Sequence, residues 1–420
     1  MTDSSQHKPK ADLILENAVT VLTCNPTTAD LVGRLSNATV ATAGELILAV
    51  GPAREIAASV DSSQAQIIDV RGKIIAPGFV DSHTHLVFGG SRIEEYAARL
   101  THSASEVAAL GIPTGITATM TMTRSAGLPQ LVESAHNRLL EMLHHGTTTV
   151  ESKSGYGLTL DAELKMLEVN KQLAARAPVD LVSTFLGAHA IPPDIPHSRY
   201  VDIVIGEMIP EVADRGLANF CDVYCDEGYF TITDARRILE AARTAGLLLK
   251  IHTDQYSDLG GSALAAELGV VSADHLNYTP PESMQLMAEA GVVGVVMPLI
   301  DYAVQHPHPF NTRALHAAGL TLALATDLCP GCWAVSMQLV MQHACRANGF
   351  SPEEALLAAT VGGARALALE DRGALAPGLL ADIQIWDVPS YEDVIYRLGN
   401  NAVEMVIKRG AVVYSRQNYD

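Results

Sequence analysis

The sequence predicts an α/β protein: a closed barrel of eight strands alternating with helices, beside a small β-sandwich made from both chain ends. Three observations carry this prediction. Strand-like alternation marks the two ends, apolar strands alternate with helical stretches between them, and polar residues recur where those inner strands stop. A length of 420 residues suits one large barrel with a small annex.

At the start, Ala11–Glu16 and Ala18–Thr23 alternate apolar and polar residues, as half-buried strands do. Ala381–Asp387 and Val403–Tyr414 repeat the pattern near the end, with Gly410 at a hairpin turn. Residues 11–75 plus 370–420 are therefore assigned to one β-sandwich, and residues 76–369 to the barrel. Inside the barrel the candidate strands are Gly78–His83, Thr147–Ser152, Leu181–Leu186, Phe220–Cys225, Leu248–His252, Val270–Asp274, Val292–Met297 and Leu320–Ala325. Helical stretches such as Asp161–Ala175, Thr233–Ala245 and Pro281–Ala290 separate them, which signals βα units and a parallel sheet. Eight strands close a (β/α)8 barrel of the TIM type. An open doubly wound sheet is the competing architecture, but no glycine-rich dinucleotide fingerprint follows the first strand.

Composition narrows the partners. Hydrophobic residues make up 48% and charged residues 18%, which fits a well-filled α/β interior. A net charge of −19 leaves no basic surface for phosphates, so nucleic acid is excluded as a partner. Residues 1–11 are polar and read as no signal peptide, and no run approaches the ~18–20 apolar residues of a membrane span. Six cysteines form no disulfide framework, so a reducing, cytoplasmic setting is expected.

Parallel strands buried on both faces should be continuously apolar, and a barrel keeps its active site at their C-terminal ends. The first strand ends in His83 and His85, two apart, so both imidazoles can face one ion. His252 ends the fifth strand, His275 the sixth, and Asp327 the eighth. Histidines with a carboxylate suit zinc or ferrous iron and leave room for water. His136 and His316 are read as surface or helix residues, and His144 and His145 as a helix end facing its dipole.

In these residues and the segments around them, the chain resembles the amidohydrolase superfamily, and within it the imidazolonepropionase family. The likeness runs through His83-Thr-His-Leu-Val-Phe-Gly-Gly-Ser-Arg92, Thr147-Thr-Thr-Val-Glu-Ser-Lys-Ser-Gly-Tyr-Gly157, Phe185-Leu-Gly-Ala-His189, Leu259-Gly-Gly, Ser272-Ala-Asp-His275 and Ala325-Thr-Asp327. The resemblance implies one divalent metal, zinc or alternatively iron, held by His83, His85, His252 and Asp327. It implies proton transfer and polarisation by His275 with Asp327, a carboxylate grip by Arg92 and Tyr156, and a ring contact by His189. It also implies a small cyclic substrate bearing a carboxylate, and a homodimer.

Three positions depart from the family pattern. Gln255 stands where the pattern has a glutamate, Ser105 where it has a substrate-binding tyrosine, and Cys329 where it has an asparagine. A glutamine is neutral and both donates and accepts, so it reads a ring tautomer differently from a carboxylate. Two enzymatic expectations follow. The first is opening of the imidazolone-5-propionate ring at its lactam bond. The second is a paralogue that hydrolyses the C2 substituent of a related ring, releasing sulfide or ammonia with the ring intact. A non-enzymatic binding protein is disfavoured, because every expected ligand is present. The spacing of Cys329 and Cys332 is read as pocket lining rather than redox chemistry. Cys225 is a weaker candidate for a second metal.

Overall fold

In a computed structural model, the described residues are 8–25 and 30–416. Residues 1–7 of the polar start, and 26–29 and 417–420 of the expected sandwich, lie outside them. Eight parallel strands follow in chain order, each paired with the next: Phe79–Asp81, Thr147–Lys153, Asp180–Ala188, Phe220–Cys225, Leu248–Thr253, Ser272–His275, Val293–Val296 and Leu322–Leu324. The sheet is a barrel rather than an open layer, because its two edges meet just beyond the strands. Thr84 bridges Leu328 in parallel, Asp327 N–H donates to His83 O at 3.1 Å, and His85 N–H donates to Leu328 O at 2.8 Å.

The first and eighth strands are shorter than the sequence predicts. Asp81 replaces a main-chain partner there: its carboxylate accepts from Thr326 N–H at 3.1 Å and Thr326 Oγ1 at 2.6 Å. Side-chain pairing between Asp81 and Thr326 thus spans the gap before main-chain bonds resume at His83, His85 and Asp327.

The connecting helices obey ordinary start and face rules. In Ile232–Thr244, the Thr231 side chain and Asp234 form a reciprocal capping box, which satisfies orphan N–H groups. Ala235, Ile238, Leu239 and Ala242 then recur on one face and are buried. The helices Leu160–Ala174 and Pro281–Glu289 fall within a residue of their expected bounds. Among the described residues, no helix is long and apolar enough to cross a membrane.

The chain ends build two further sheets. One orders Leu46–Pro52, Ala38–Ala43, Leu13–Glu16 and Gln66–Asp69; the other orders Ala411–Ser415, Val403–Lys408, Ile383–Trp386, Ile74–Pro77, Thr20–Leu22 and Arg34–Ser36, so the second joins both ends of the chain. Arg409 and Gly410 both have positive φ, 49° and 78°, in the two-residue turn before Ala411, as a type I′ hairpin requires. Leu15, Val21, Val40, Ile75, Ile383 and Ile407 share the apolar core of this annex. An ion cluster ties it to the barrel: Asp180, at the start of the third barrel strand, meets Arg372 Nη1 at 2.5 Å, Lys408 Nζ at 2.9 Å and Arg409 Nη2 at 3.0 Å.

Candidate active site

The barrel mouth gathers His83, His85, His252, His275 and Asp327, all of them buried. His83 Nε2 and His85 Nε2 each stand 3.7 Å from Asp327 Oδ1. The ring centroids of His83 and His252 are 4.5 Å apart, and those of His252 and His275 are 5.3 Å apart. Register explains the convergence: His252 pairs with Asp274 and Tyr224 across the sheet, and Thr253 pairs with His275.

These residues fit a cation. His83 Nε2, His252 Nε2 and Asp327 Oδ1 are buried without a hydrogen-bond partner, and such orphans are costly unless something binds them. Donors about 2.1 Å from one ion stand roughly 3.4–3.6 Å apart at angles of about 109–120°, close to the separations seen. Burial holds His83, His85 and His275 well below the ordinary histidine range, so their rings are neutral and can offer lone pairs. Burial likewise pushes Asp327 well above the carboxylate range, opposed by Lys153. A divalent cation supplies the missing positive charge. The histidine and carboxylate set is accordingly one that suits a divalent metal ion.

Behind the imidazoles lies a charged layer that the sequence reading missed. Asp274 Oδ2 is 2.6 Å from His83 Nδ1, and Asp222 Oδ2 is 2.9 Å from His252 Nδ1. Each carboxylate turns a ring so that Nε2 faces the site. Lys153 Nζ, fully buried, lies 2.8 Å from both Glu151 Oε1 and Asp222 Oδ2, and 3.6 Å from Asp274 Oδ2. Burial would raise Asp222, but His252 and Lys153 outweigh it and hold the carboxyl far below its usual range. A signal was available: charges at Glu151, Lys153, Asp222 and Asp274 interrupt strands that ought to be apolar.

The backbone is strained at the same place. His275 has φ 86° and Asp327 φ 47°, left-handed conformations uncommon outside glycine. Such outliers cluster at functional sites, where packing holds them.

Beside the cluster, Tyr156 and His189 form one wall. The His189 ring stacks on His85 at 4.7 Å and 11°, and Tyr156 stands 5.2 Å from His189 and 5.5 Å from His85. Burial lowers His189 to about 3, so its ring is neutral. Arg92 is held by Glu95, with Nε at 2.6 Å and Nη2 at 2.9 Å, which leaves Nη1 towards the Cys329–Cys332 turn. In that turn the two cysteines exchange backbone hydrogen bonds of 3.0 Å, and both are free thiols. Burial, Asp327 and Cys332 push the Cys329 thiol well up, and Cys332 reaches about 12, which disfavours thiolate chemistry.

Gln255 Oε1 accepts from Tyr224 Oη at 2.5 Å, while its backbone N–H donates to Asp226 at 2.9 Å. Ser105 is not brought to this pocket. It is exposed on the short helix Ala104–Ala109 and shares a 3.1 Å hydrogen bond with Ser103. Cys225 joins none of the ligand groups found among the described residues. His316 lies 3.6 Å from Glu354, and His136 sits within the helix Leu128–His144.

Residues 104–414 match the model of the amidohydrolase family. The imidazolonepropionase of Geobacillus kaustophilus is 46% identical, over 91% of each chain. That of Chloroflexus aggregans is 39% identical, over 97% of this chain and 99% of its own. Among solved structures, a zinc-bound adenosine deaminase from Xanthomonas campestris superposes with TM-score 0.73 at 20% identity, over 98% of this chain and 94% of its own. A mutant atrazine chlorohydrolase from Arthrobacter aurescens, complexed with zinc and atraton, gives TM-score 0.72 at 19% identity, over 96% of each chain. At these identities, the two structures speak for the fold alone.

Proposed function

The chain belongs to the amidohydrolase family, and from that premise we propose that it is an imidazolonepropionase, a metal-dependent hydrolase that opens the ring of imidazolone-5-propionate. One observation supports the reading: His83 lies within ligand reach of His252 and His275 on one side and of His85 and Asp327 on the other, and His83 Nε2, His252 Nε2 and Asp327 Oδ1 are buried without a hydrogen-bond partner. In this reading those four side chains hold one divalent ion per chain, zinc with iron as the alternative. Such an ion, when bound, lowers the pKa of water and polarises the carbon–oxygen bond under attack.

The protein's own groups do the rest. Asp327 takes the proton of the attacking water and passes it to the ring nitrogen as the lactam C–N bond breaks. His275 stabilises the negative charge that develops on the carbonyl oxygen. Arg92 through Nη1 and Tyr156 through its hydroxyl hold the propionate, for which a planar guanidinium is better shaped than an ammonium. His189, Gln255 and Cys329 line the ring. The enzyme acts in the cytoplasm as a homodimer, with neither nucleic acid nor membrane as a partner.

A second reading rests on Gln255. Its side-chain carbonyl is occupied by Tyr224, so what it has left to offer a ring is a neutral N–H2 rather than a carboxylate, and buried thiols lie on the loop after Asp327. Such a lining also suits hydrolysis at C2 of a 2-thioxo or amino ring. Metal-replete protein offered both ring types, with ring opening, sulfide and ammonia followed separately, decides between them. Ring opening of imidazolone-5-propionate is the expected result. Sulfide or ammonia released from an intact ring would overturn the first reading in favour of the second.

A further inference from the structure

We propose that Glu163 is a positioning residue for substrate binding: it folds the Ser154–Leu158 loop so that Gly155 fixes the tautomer of His189 and Tyr156 faces the pocket. The part played by substrate rests on the function proposed above; the part played by the loop does not.

Glu163 is fully buried, and among the described residues no ion pair engages it. A buried carboxylate without a countercharge is costly, so its hydrogen bonds must offset the lost hydration. They all come from one loop. Gly155 N–H donates to Oε2 at 2.9 Å, while Gly157 N–H and Leu158 N–H donate to Oε1 at 2.7 and 2.8 Å. Glu163 sits in the first turn of the helix Leu160–Ala174, where a cap would ordinarily serve that helix. It reaches back to the loop instead. Arg124 holds the opposite edge, donating to Gly157 O at 2.7 Å and Leu158 O at 3.1 Å. The N–H groups of 155, 157 and 158 are thus tied to one acid, and the carbonyls of 157 and 158 to one base.

The loop is pressed directly onto the strand that leads to His189. Gly155 has φ 106°, and a Cβ there would stand 2.8 Å from Leu186 O and 2.9 Å from His189 Cβ. That approach lets Gly155 O meet His189 Nδ1 at 3.1 Å. A carbonyl only accepts, so Nδ1 carries the proton and Nε2 of the neutral ring keeps its lone pair. Glu163 therefore decides, through Gly155, that the pocket wall offers an acceptor rather than a donor. The same loop sets Tyr156 against His189.

Glu163→Gln separates this role from simple folding. Its one oxygen can serve Gly157 and Leu158, while its N–H2 then faces the Gly155 N–H and releases that peptide. In holoenzyme carrying 15N-labelled histidine, wild-type His189 is expected as the Nδ1–H tautomer, and Glu163→Gln as a mixture of tautomers. With imidazolone-5-propionate, KM is expected to rise about tenfold, the loss of roughly one hydrogen bond, with kcat changed less than threefold. Glu163→Asp, which keeps the charge but is shorter, should recover part of that loss.

An Nε2–H tautomer in the wild type overturns the proposal without any variant. So does a Glu163→Gln enzyme that keeps both tautomer and KM, or one that loses kcat in step with its folded fraction. If the wild type does not turn over imidazolone-5-propionate, the functional reading fails, and the tautomer measurement still decides the role of Glu163.

Discussion

Replacing Lys153 by methionine keeps the length of the side chain and removes a buried charge that three carboxylates share. Nζ lies 2.8 Å from Glu151 and Asp222 and 3.6 Å from Asp274, and all of these side chains are fully buried. Removing one partner from a buried ion pair costs about 3–5 kcal/mol, because the other is left uncompensated. With two close partners, the apoprotein should fall in the upper part of that range, read from its urea unfolding midpoint. A second effect follows from what the carboxylates orient. Lys153 is one of the groups that hold His83 low, so without it Asp274 draws a proton onto that ring more readily, and a protonated ring cannot bind a cation. Loss of such outer partners typically weakens metal binding about 10–100-fold, measurable by competition with a zinc chelator. Unchanged unfolding together with unchanged zinc affinity would refute the reasoning. Lost stability with full zinc affinity would reduce Lys153 to a charge that serves the fold alone.

Two further outcomes are expected. Burial would raise Asp180, but Lys408 and Arg372 outweigh it and hold the carboxyl at about 2. A depressed folded value stabilises above the unfolded value near 4 and is lost as pH falls towards 2. Asp180→Asn should therefore cost about 2 kcal/mol above pH ~5, and the gap to wild type should close between about pH 4 and 2; a gap independent of pH counts against the clamp. Arg92→Lys should raise KM about 10–100-fold with kcat nearly kept, since one ammonium cannot hold Glu95 and grip a second carboxylate as a fork does. A KM within twofold of wild type would remove Arg92 from the substrate grip.

The barrel was legible because its strands are buried on both faces and say so in Val, Ile and Leu, while the breaks in that pattern fall at His83, His252, His275 and Asp327. Position in the chain was enough to find them, since a parallel barrel puts every strand end on one rim. Partnership was not legible. Nothing local in the sequence pairs Glu151 with Lys153, or joins either to Asp222 and Asp274, because those contacts are set by register between strands. The grip of Glu163 on Gly155 is shorter in sequence but equally hidden, since an acid in the first turn of a helix reads as an ordinary dipole partner. Ser105 shows the opposite hazard. Only likeness to a pattern points to it, and in the structure it is exposed on a short helix and bonded to Ser103 rather than to any pocket residue.

The two layers of the site also bear on the charge of its ion. Glu151, Asp222, Asp274 and Asp327 bring four carboxyl groups to one buried region, set against the Lys153 ammonium and a Lys250 amine that burial pushes down. Asp81, pushed up to about 7 by burial, can hold a proton. Without a cation the excess of negative charge has to be neutralised by protons, and Asp327, nearest the orphaned imidazoles, is the carboxyl that burial pushes well upward. Positive charge delivered at that point offsets the excess and favours the ionised form of Asp327, which can then act as a base. The charged layer behind the histidines thus acts on the same cation as the ligands in front, since its carboxyl groups hold the rings and add negative charge that a divalent ion offsets.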